Sequence, residues 1–365
     1  MRTPGILLTG IVVILVFGYG LQMACAADQD AVQRLLSTGE CAGCDLSSAD
    51  LSSRNLSEAD LRGANLRHAN LTSTVLFKTN LHSVDLRGAT LADASLGRAD
   101  LTDANLADQV LGGARLGRAI LRGANLANSA LVGANLDGAD LTGADLRKSD
   151  LSDAVLRNTR VGQADFSGSM LSGADLSGID LSRVASLARV DLSRAKMVRA
   201  RMQNLDLSDV NLEEANLKYA DLTGAVLRGA VLQRAELTKS RLERADLTNA
   251  NLEGAVLQGT RLNGARLEGA RLAGTLLSGS LIGLDLSAAD LHGANLSGAN
   301  LKDTNFRGAN LERALLPGAN LYGADFTGAN LRNANFKGAN LGNARFDDAD
   351  TTGANFSEAR GIEQP

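Results

Sequence analysis

The chain has 365 residues, 44% of them apolar but only 3% aromatic, with no Trp and 39 Gly against three Pro. That apolar share is enough for a core and excludes bulk disorder, and the bias toward Leu, Ala, Gly, Asp, Asn, Ser and Arg calls for a search for repeats. The formal net charge of −4 divides into about −5 over residues 27–183, about +3 over 184–282 and about −3 over 283–365, which excludes the concentrated Lys/Arg face of a nucleic-acid binder.

The N-terminus reads as a targeting segment over residues 1–26. Arg2 precedes an uncharged run from Thr3 to Ala27, most apolar between Ile6 and Phe17. Ala24-Cys25-Ala26 supplies the small-x-small pattern that signal peptidases cut after. The run is also long enough to remain as a membrane anchor. Cys25 as a lipidated cysteine is a third reading, although Gln22 fits a lipobox poorly. All three place the rest of the chain outside the cytoplasm, in the periplasm or another extracytoplasmic compartment.

Residues 27–44 form a terminal element. Asp28 to Thr38 is expected to be a short helix, with Val32, Leu35 and Leu36 on one face, Asp28 or Asp30 at its start and Gly39 at its end. Its expected task is to cover the first coil of the region C-terminal to it, because an open solenoid end exposes core and unpaired backbone.

From Leu46 a large apolar residue recurs every fifth position, through Leu51, Leu56, Leu61 and Leu66, and the phase holds to Leu181. Two residues before each centre stands Ala or another small residue, and Asp or Asn lies between. Gly is common two residues after the centre. On a helix, five residues advance about 500°, so these Leu would wander around the axis. On a flat strand, five is odd, and successive Leu would alternate faces. A short extended piece followed by a corner, repeated every five residues, puts Leu and Ala inside a coil. Gly suits the corner because it tolerates a positive φ. About 63 such units, at an assumed four per coil, give about 16 coils and a rod of roughly 75 Å.

Residues 45–360 form this solenoid in three phased blocks. One extra residue lies within Arg183-Val184-Ala185-Ser186, so that Leu187 starts a second phase that runs to Ile282. Leu286, four residues later, restores the first phase to Phe356. The blocks are therefore 45–183, 184–282 and 283–360, with a tail over 361–365. The slips are expected to be bulges that bend or twist the rod. Phe306, Phe326 and Phe346 are spaced by 20, as are Phe336 and Phe356, so each set should stack inside one wall. The thinly covered C-terminal coil leaves room for end-to-end pairing of two chains into a homodimer.

Stretches such as Gly123-Ala124-Asn125-Leu126 and Gly298-Ala299-Asn300-Leu301 resemble the pentapeptide-repeat family, whose consensus is Ala-(Asp/Asn)-Leu-x-x. The resemblance covers nearly everything from Cys44 to Phe356. It implies an all-β fold, a right-handed quadrilateral β-helix of four pentads per coil. It also brings a function to weigh: some members imitate DNA and protect gyrase, which needs a strongly negative rod in the cytoplasm.

The chain shows little sign of catalytic chemistry. Cys41-Ala42-Gly43-Cys44 lacks the βαβ setting of a redox motif, the His of a haem site and further zinc ligands, and reads as a local disulfide. Thiol–disulfide chemistry at Cys41 and Cys44 stays as an alternative. His68, His82 and His292 fall at outward positions without partner spacing. No nucleophile elbow or phosphate loop is present, and a Leu/Ala interior leaves no substrate pocket. No enzyme activity, cofactor or metal is expected.

The outer walls vary most in the middle block. Arg201, Arg241, Arg261, Arg266 and Arg271 replace Asp or Asn before the centre. Arg201, Arg241 and Arg261 should share one wall, and Val256 and Leu276 another. Such a mixed surface is the type that binds another protein. The expected function is that of a non-enzymatic envelope interaction protein, whose partner is not named by the sequence, with no nucleic acid bound and membrane attachment only through the N-terminal segment.

Overall fold

The computed structural model describes residues 28–361; the targeting segment and most of the tail lie outside the described residues. The first element, α1, spans Gln29–Thr38. The Asp28 carboxylate accepts hydrogen bonds from the backbone N–H groups of Asp30 and Ala31, and Gly39 closes the helix with a left-handed φ of 76°. Asp28 therefore satisfies donors that the first helical turn leaves open. Leu35 and Ala31 face inward, Val32 is half-buried and Leu36 is 40% exposed. The buried stripe is thus rotated by one position from the expected Val32–Leu35–Leu36 face. Ala31 and Leu35 join one continuous core with Cys41, Cys44 and the first solenoid coils.

From Glu40 onward, residues 20 apart pair in parallel, so each coil takes 20 residues in four segments. Two segments are long enough to count as strands, β1 (Val256–Gln258) and β2 (Leu276–Ser278), and they pair in parallel. Elsewhere one residue per segment makes the contact. The unit around Leu61 shows the bonding. Its N–H donates to the Asn80 carbonyl on the next coil at 2.8 Å, and Gly63 donates to His82 at 2.8 Å. Ala64 donates back to the Leu61 carbonyl at 3.1 Å, closing a tight turn.

The third residue of such a turn has φ > 0, as a type II turn demands, with the turn at Arg183 in the first slip an exception. Gly143 (φ 72°) and Gly63 (φ 63°) meet this at no steric cost. So do 35 non-glycine residues, among them Arg98, Lys148 and Tyr219. Hydrogen bonds to the neighbouring coils therefore impose the corner, and glycine is one solution among several.

The outward Asp or Asn before each centre has its own task. Asp45 Oδ1 accepts the Ser47 N–H two residues on at 3.0 Å, and Asn65 Nδ2 of the next coil donates to the same oxygen at 3.0 Å. This Asx turn repeats along the rod, which explains why Asp and Asn interchange there. Inside, Leu centres and small residues fill the core. Where Thr replaces Ala, its hydroxyl donates to a backbone carbonyl, on the preceding coil for Thr74 Oγ1 to Leu51 at 2.8 Å and within its own coil for Thr275 Oγ1 to Leu272 at 2.7 Å.

The Phe residues stack inside as their spacing implies. Phe306 and Phe326 lie 4.9 Å apart face to face, and Phe336 and Phe356 lie 5.0 Å apart. The two stacks meet edge to face across the core, with Phe326 and Phe336 5.7 Å apart.

Both slips are present, and the second falls earlier than expected. At the first, pairing partners move from 20 to 21 residues apart, as in Asp165 with Ser186 and Met170 with Asp191. At the second they move to 19 apart, as in Arg266 with Asp285. The shortened unit runs from Leu277 to Leu281. Leu281 is buried and Ile282 is 48% exposed, so Ile282 is not the last centre of the middle phase. The physical reason is Gly279, whose φ of 113° takes up the missing residue, while Gly283 (φ 65°) forms an ordinary corner two residues after Leu281.

Candidate interaction surfaces

Four columns of outward residues run along the rod. Two are unbroken, from Asp50 to Asp350 and from Asn55 to Asn355. The other two lose pairing at three places: between Arg160 and Asp180, between Ser186 and Asp206, and between Arg261 and Ser280. All three breaks sit at the slips. Inserting one residue thus opens two faces of the rod and leaves the other two closed.

Each break at the first slip forms a cleft. One, of about 380 Å³, is lined by Val184, Ser186, Arg189, Leu205, Asp206 and Asp209. The second, of about 400 Å³, is lined by Asn158, Arg160, Val161, Asp180, Arg183 and Arg201. The backbone N–H groups of Val161 and Asp180, which elsewhere in the repeat donate to the adjoining coil, have no backbone acceptor there. Burial tends to raise the Asp180 pKa, but hydrogen bonds from Ser182 and the nearby Arg201 and Arg183 charges hold its carboxyl below the usual range.

Arg201, Arg241 and Arg261 share one column, as their spacing implies, and Val256 and Leu276 stack on another. These arginines are not bare cations. Arg201 pairs with Asp180 at 3.2 Å, Arg241 with Asp221 at 3.0 Å and Arg261 with Glu243 at 3.9 Å. Arg266 lies 3.8 Å from Asp246, and Arg271 lies 3.3 Å from Glu253. An Arg before the centre cannot accept the turn N–H as Asp does, and it reaches carboxylates on neighbouring coils instead. Val256 and Leu276 are half-buried, and Leu315 extends the same column at 41% exposure.

The unbalanced charge lies elsewhere. Residues 181–201 contain six Lys and Arg against the single Asp191, whereas 202–282 contain nine against ten Asp and Glu. Arg183, Arg189, Arg194, Lys196 and Arg199 are exposed, and among the described residues none has a carboxylate within 4.0 Å. The regional charge count blurred this coil into the whole middle block. Counting charge per coil of 20 would have found it.

Cys41 and Cys44 are joined as a disulfide with Cα atoms 5.3 Å apart, and the Arg34 guanidinium of α1 contacts Cys44 Sγ. The Arg34 contact ties the helix to the first coil. His68 and His82 are exposed at corners, while His292 borders a shallow trough with Gln233, Arg234 and Glu253. Among the described residues, no group of three His, Cys, Asp or Glu could hold a metal ion, and no helix is long and apolar enough to cross a membrane.

Five-residue units, each closed by its own turn and bonded to the units 20 residues away, define a β-solenoid repeat protein. The family model "Pentapeptide repeats" matches in segments from 44–82 to 329–360, and the chain belongs to that family. The matched segments abut at 184/185 and 279/280, where the two slips lie. Comparison with curated proteins gives no match.

Among solved structures, the chain is similar to HetL, a pentapeptide repeat protein involved in heterocyst differentiation regulation in the cyanobacterium Nostoc. The two are 24% identical over 93% of this chain and 99% of HetL, with a TM-score of 0.23. A pentapeptide repeat protein of the Arabidopsis thaliana thylakoid lumen is 31% identical over 32% of this chain and 70% of its own, with a TM-score of 0.19. QnrB1, a plasmid-mediated fluoroquinolone resistance protein, is 16% identical over 67% of this chain and 90% of its own, with a TM-score of 0.25.

Proposed function

We propose that this chain is an exported, non-enzymatic interaction protein: a right-handed quadrilateral β-helix, capped at its N-terminus by α1, that binds partner proteins through its outer walls. The observation that carries this reading is where side-chain variety resides. The interior repeats Leu and small residues, varied only by buried Phe, Met, Val, Ser and Thr, whereas the charges and the clefts that distinguish one coil from another lie on the outside. A filled core offers no enclosed site for a substrate, whereas a long rod offers much surface for a macromolecule. The N-terminal apolar run and the Cys41–Cys44 disulfide support an oxidising compartment outside the cytoplasm. A gyrase-binding DNA mimic would need an evenly negative rod, and the cations of coil 181–201 interrupt it.

The test is in-cell crosslinking of the full chain, followed by identification of what it captures and sequencing of its mature N-terminus. Export predicts a processed or membrane-retained N-terminus and captured proteins of the same compartment. A chain found unprocessed in the cytoplasm, or one that captures nothing, overturns the proposal.

A further inference from the structure

The coil from Leu181 to Arg201 differs from the rest of the rod in three independent ways. It holds the inserted residue, it borders both clefts of the first slip, and it carries six cations against one carboxylate. The cations are distributed around it. Arg183, Arg189, Arg194 and Arg199 occupy its four successive corners, and Lys196 and Arg201 stand on two of the faces between them. All six are exposed. The lone acid, Asp191, is engaged by the Ser193 N–H at 3.0 Å and by Asn211 Nδ2 at 2.9 Å.

The preceding coil contributes little to cover these side chains; Arg194 Nη2 donates to Ser172 Oγ at 3.0 Å. Gly168, Gly173 and Gly178 donate to the carbonyls of Ala188, Ser193 and Val198, so they underlie the Arg189, Arg194 and Arg199 corners with no side chain. The fourth corner is Gln163 beneath Arg183, bonded to the Arg183 carbonyl. A ring of cations therefore stands beside a ring of bare or neutral corners, forming a shallow step around the girth of the rod. Between Arg160 and Asp180 that step deepens into the cleft where two backbone N–H groups lack backbone acceptors.

We propose that this coil is a docking collar for an extended acidic segment of a partner protein, with Asp and Glu carboxylates on the corner guanidiniums. The inference rests on the reading of the chain as an interaction protein and specifies the chemistry of the partner. Arginine forks suit carboxylates, and a cation at each corner matches a chain that wraps the girth. A flat bilayer would touch only one or two of the corners at once. A single-stranded nucleic acid would need aromatic platforms for its bases, and Tyr219, beside the collar, is already flanked by Arg199 and Lys239 at 5.7 and 5.9 Å from its ring centre.

The test compares the full chain with the variant Arg183→Gln, Arg189→Gln, Arg194→Gln and Arg199→Gln. A second variant, Arg241→Gln with Arg261→Gln, removes cations that already have carboxylate partners. A fluorescent oligoglutamate is titrated onto each, beside an oligonucleotide of matched charge and vesicles containing phosphatidylserine. The collar predicts oligoglutamate binding that weakens with salt, falls at least about tenfold in the four-Arg variant and stays within about twofold in the second. Circular dichroism melting of both variants checks that the rod is intact. No oligoglutamate binding, equal losses in the two variants, or tighter binding of the oligonucleotide or the vesicles would overturn the collar. In the crosslinking experiment, partners retained unchanged by the four-Arg variant overturn the collar while leaving the interaction function standing.

Discussion

At the scale of single residues, the outward Asp or Asn links the sequence repeat to the backbone turn. Asp285 accepts from the Ser287 N–H at 3.1 Å, the Ser287 hydroxyl at 2.7 Å and Asn305 Nδ2 at 3.0 Å. Asp285→Ala is expected to cost roughly 1–2 kcal/mol by leaving these donors without an acceptor. Asp285→Asn keeps the accepting oxygen and should cost much less; denaturant midpoints of the two variants measure the difference. The carboxylates carry a pH signature as well. Asp350 is lowered from 3.8 to about 2, by the Thr352 hydroxyl and N–H and then by Arg332. Asp60, Asp85 and Asp145 are also lowered, chiefly by hydrogen bonds from Arg62, Arg87 and Arg147. A folded pKa below the unfolded one stabilises the fold above the unfolded value, and that contribution fades as pH falls through the folded value. The melting temperature should therefore hold level above about pH 5 and drop between about pH 4 and pH 2.

The coil is the element on which most of the fold was legible. A core that takes one large residue per side makes the period of five visible, and residues 20 apart then share a face. The extra residue after Leu181 was legible for the same reason. The second slip was misplaced because Leu281 and Ile282 are adjacent and both apolar, so counting five from Leu277 selects Ile282. Only the φ of Gly279 breaks the tie, and a sequence does not display it. Ion pairing was half-visible. A residue after one centre reaches the carboxylate 18 positions on, as Arg122 does to Asp140 and Arg228 to Asp246, both at 2.7 Å. That spacing can be searched for, whereas the absence of partners around Arg183 to Arg199 needs the coil geometry. Hydrogen exchange should report the slips directly. The amides of Val161, Asp180, Leu187, Asp206 and Leu262, which lack backbone acceptors, are expected to exchange faster than Leu141, Leu222 and Leu301, which are bonded at 2.7 Å.

For the whole molecule, the two ends differ in how the core is closed. At one end α1 lays Ala31 and Leu35 against the first coils. In the last coil Phe346 and Phe356 are only half-buried, and each stacks on a ring of the preceding coil. End-to-end pairing of two copies through this coil would cover both rings. Sedimentation of the purified chain should then show a dimer, and Phe356→Arg should return it to monomer without unfolding the preceding coils.

The two slips have opposite sign, so their sum is zero. Leu181 and Leu286 can become neighbours in the repeat if residues 182–281 are removed, because those one hundred residues are a whole multiple of the 20-residue coil. The junction would read Leu181-Ile282-Gly283-Leu284-Asp285-Leu286, a normal unit with Gly283 at its corner. The middle block is thus a cassette that can be lifted out without disturbing the register of the blocks on either side. The shortened chain is expected to keep its β signal in circular dichroism and a cooperative melt. A molecule built this way can acquire, exchange or discard its distinctive middle while the flanking scaffold keeps its geometry.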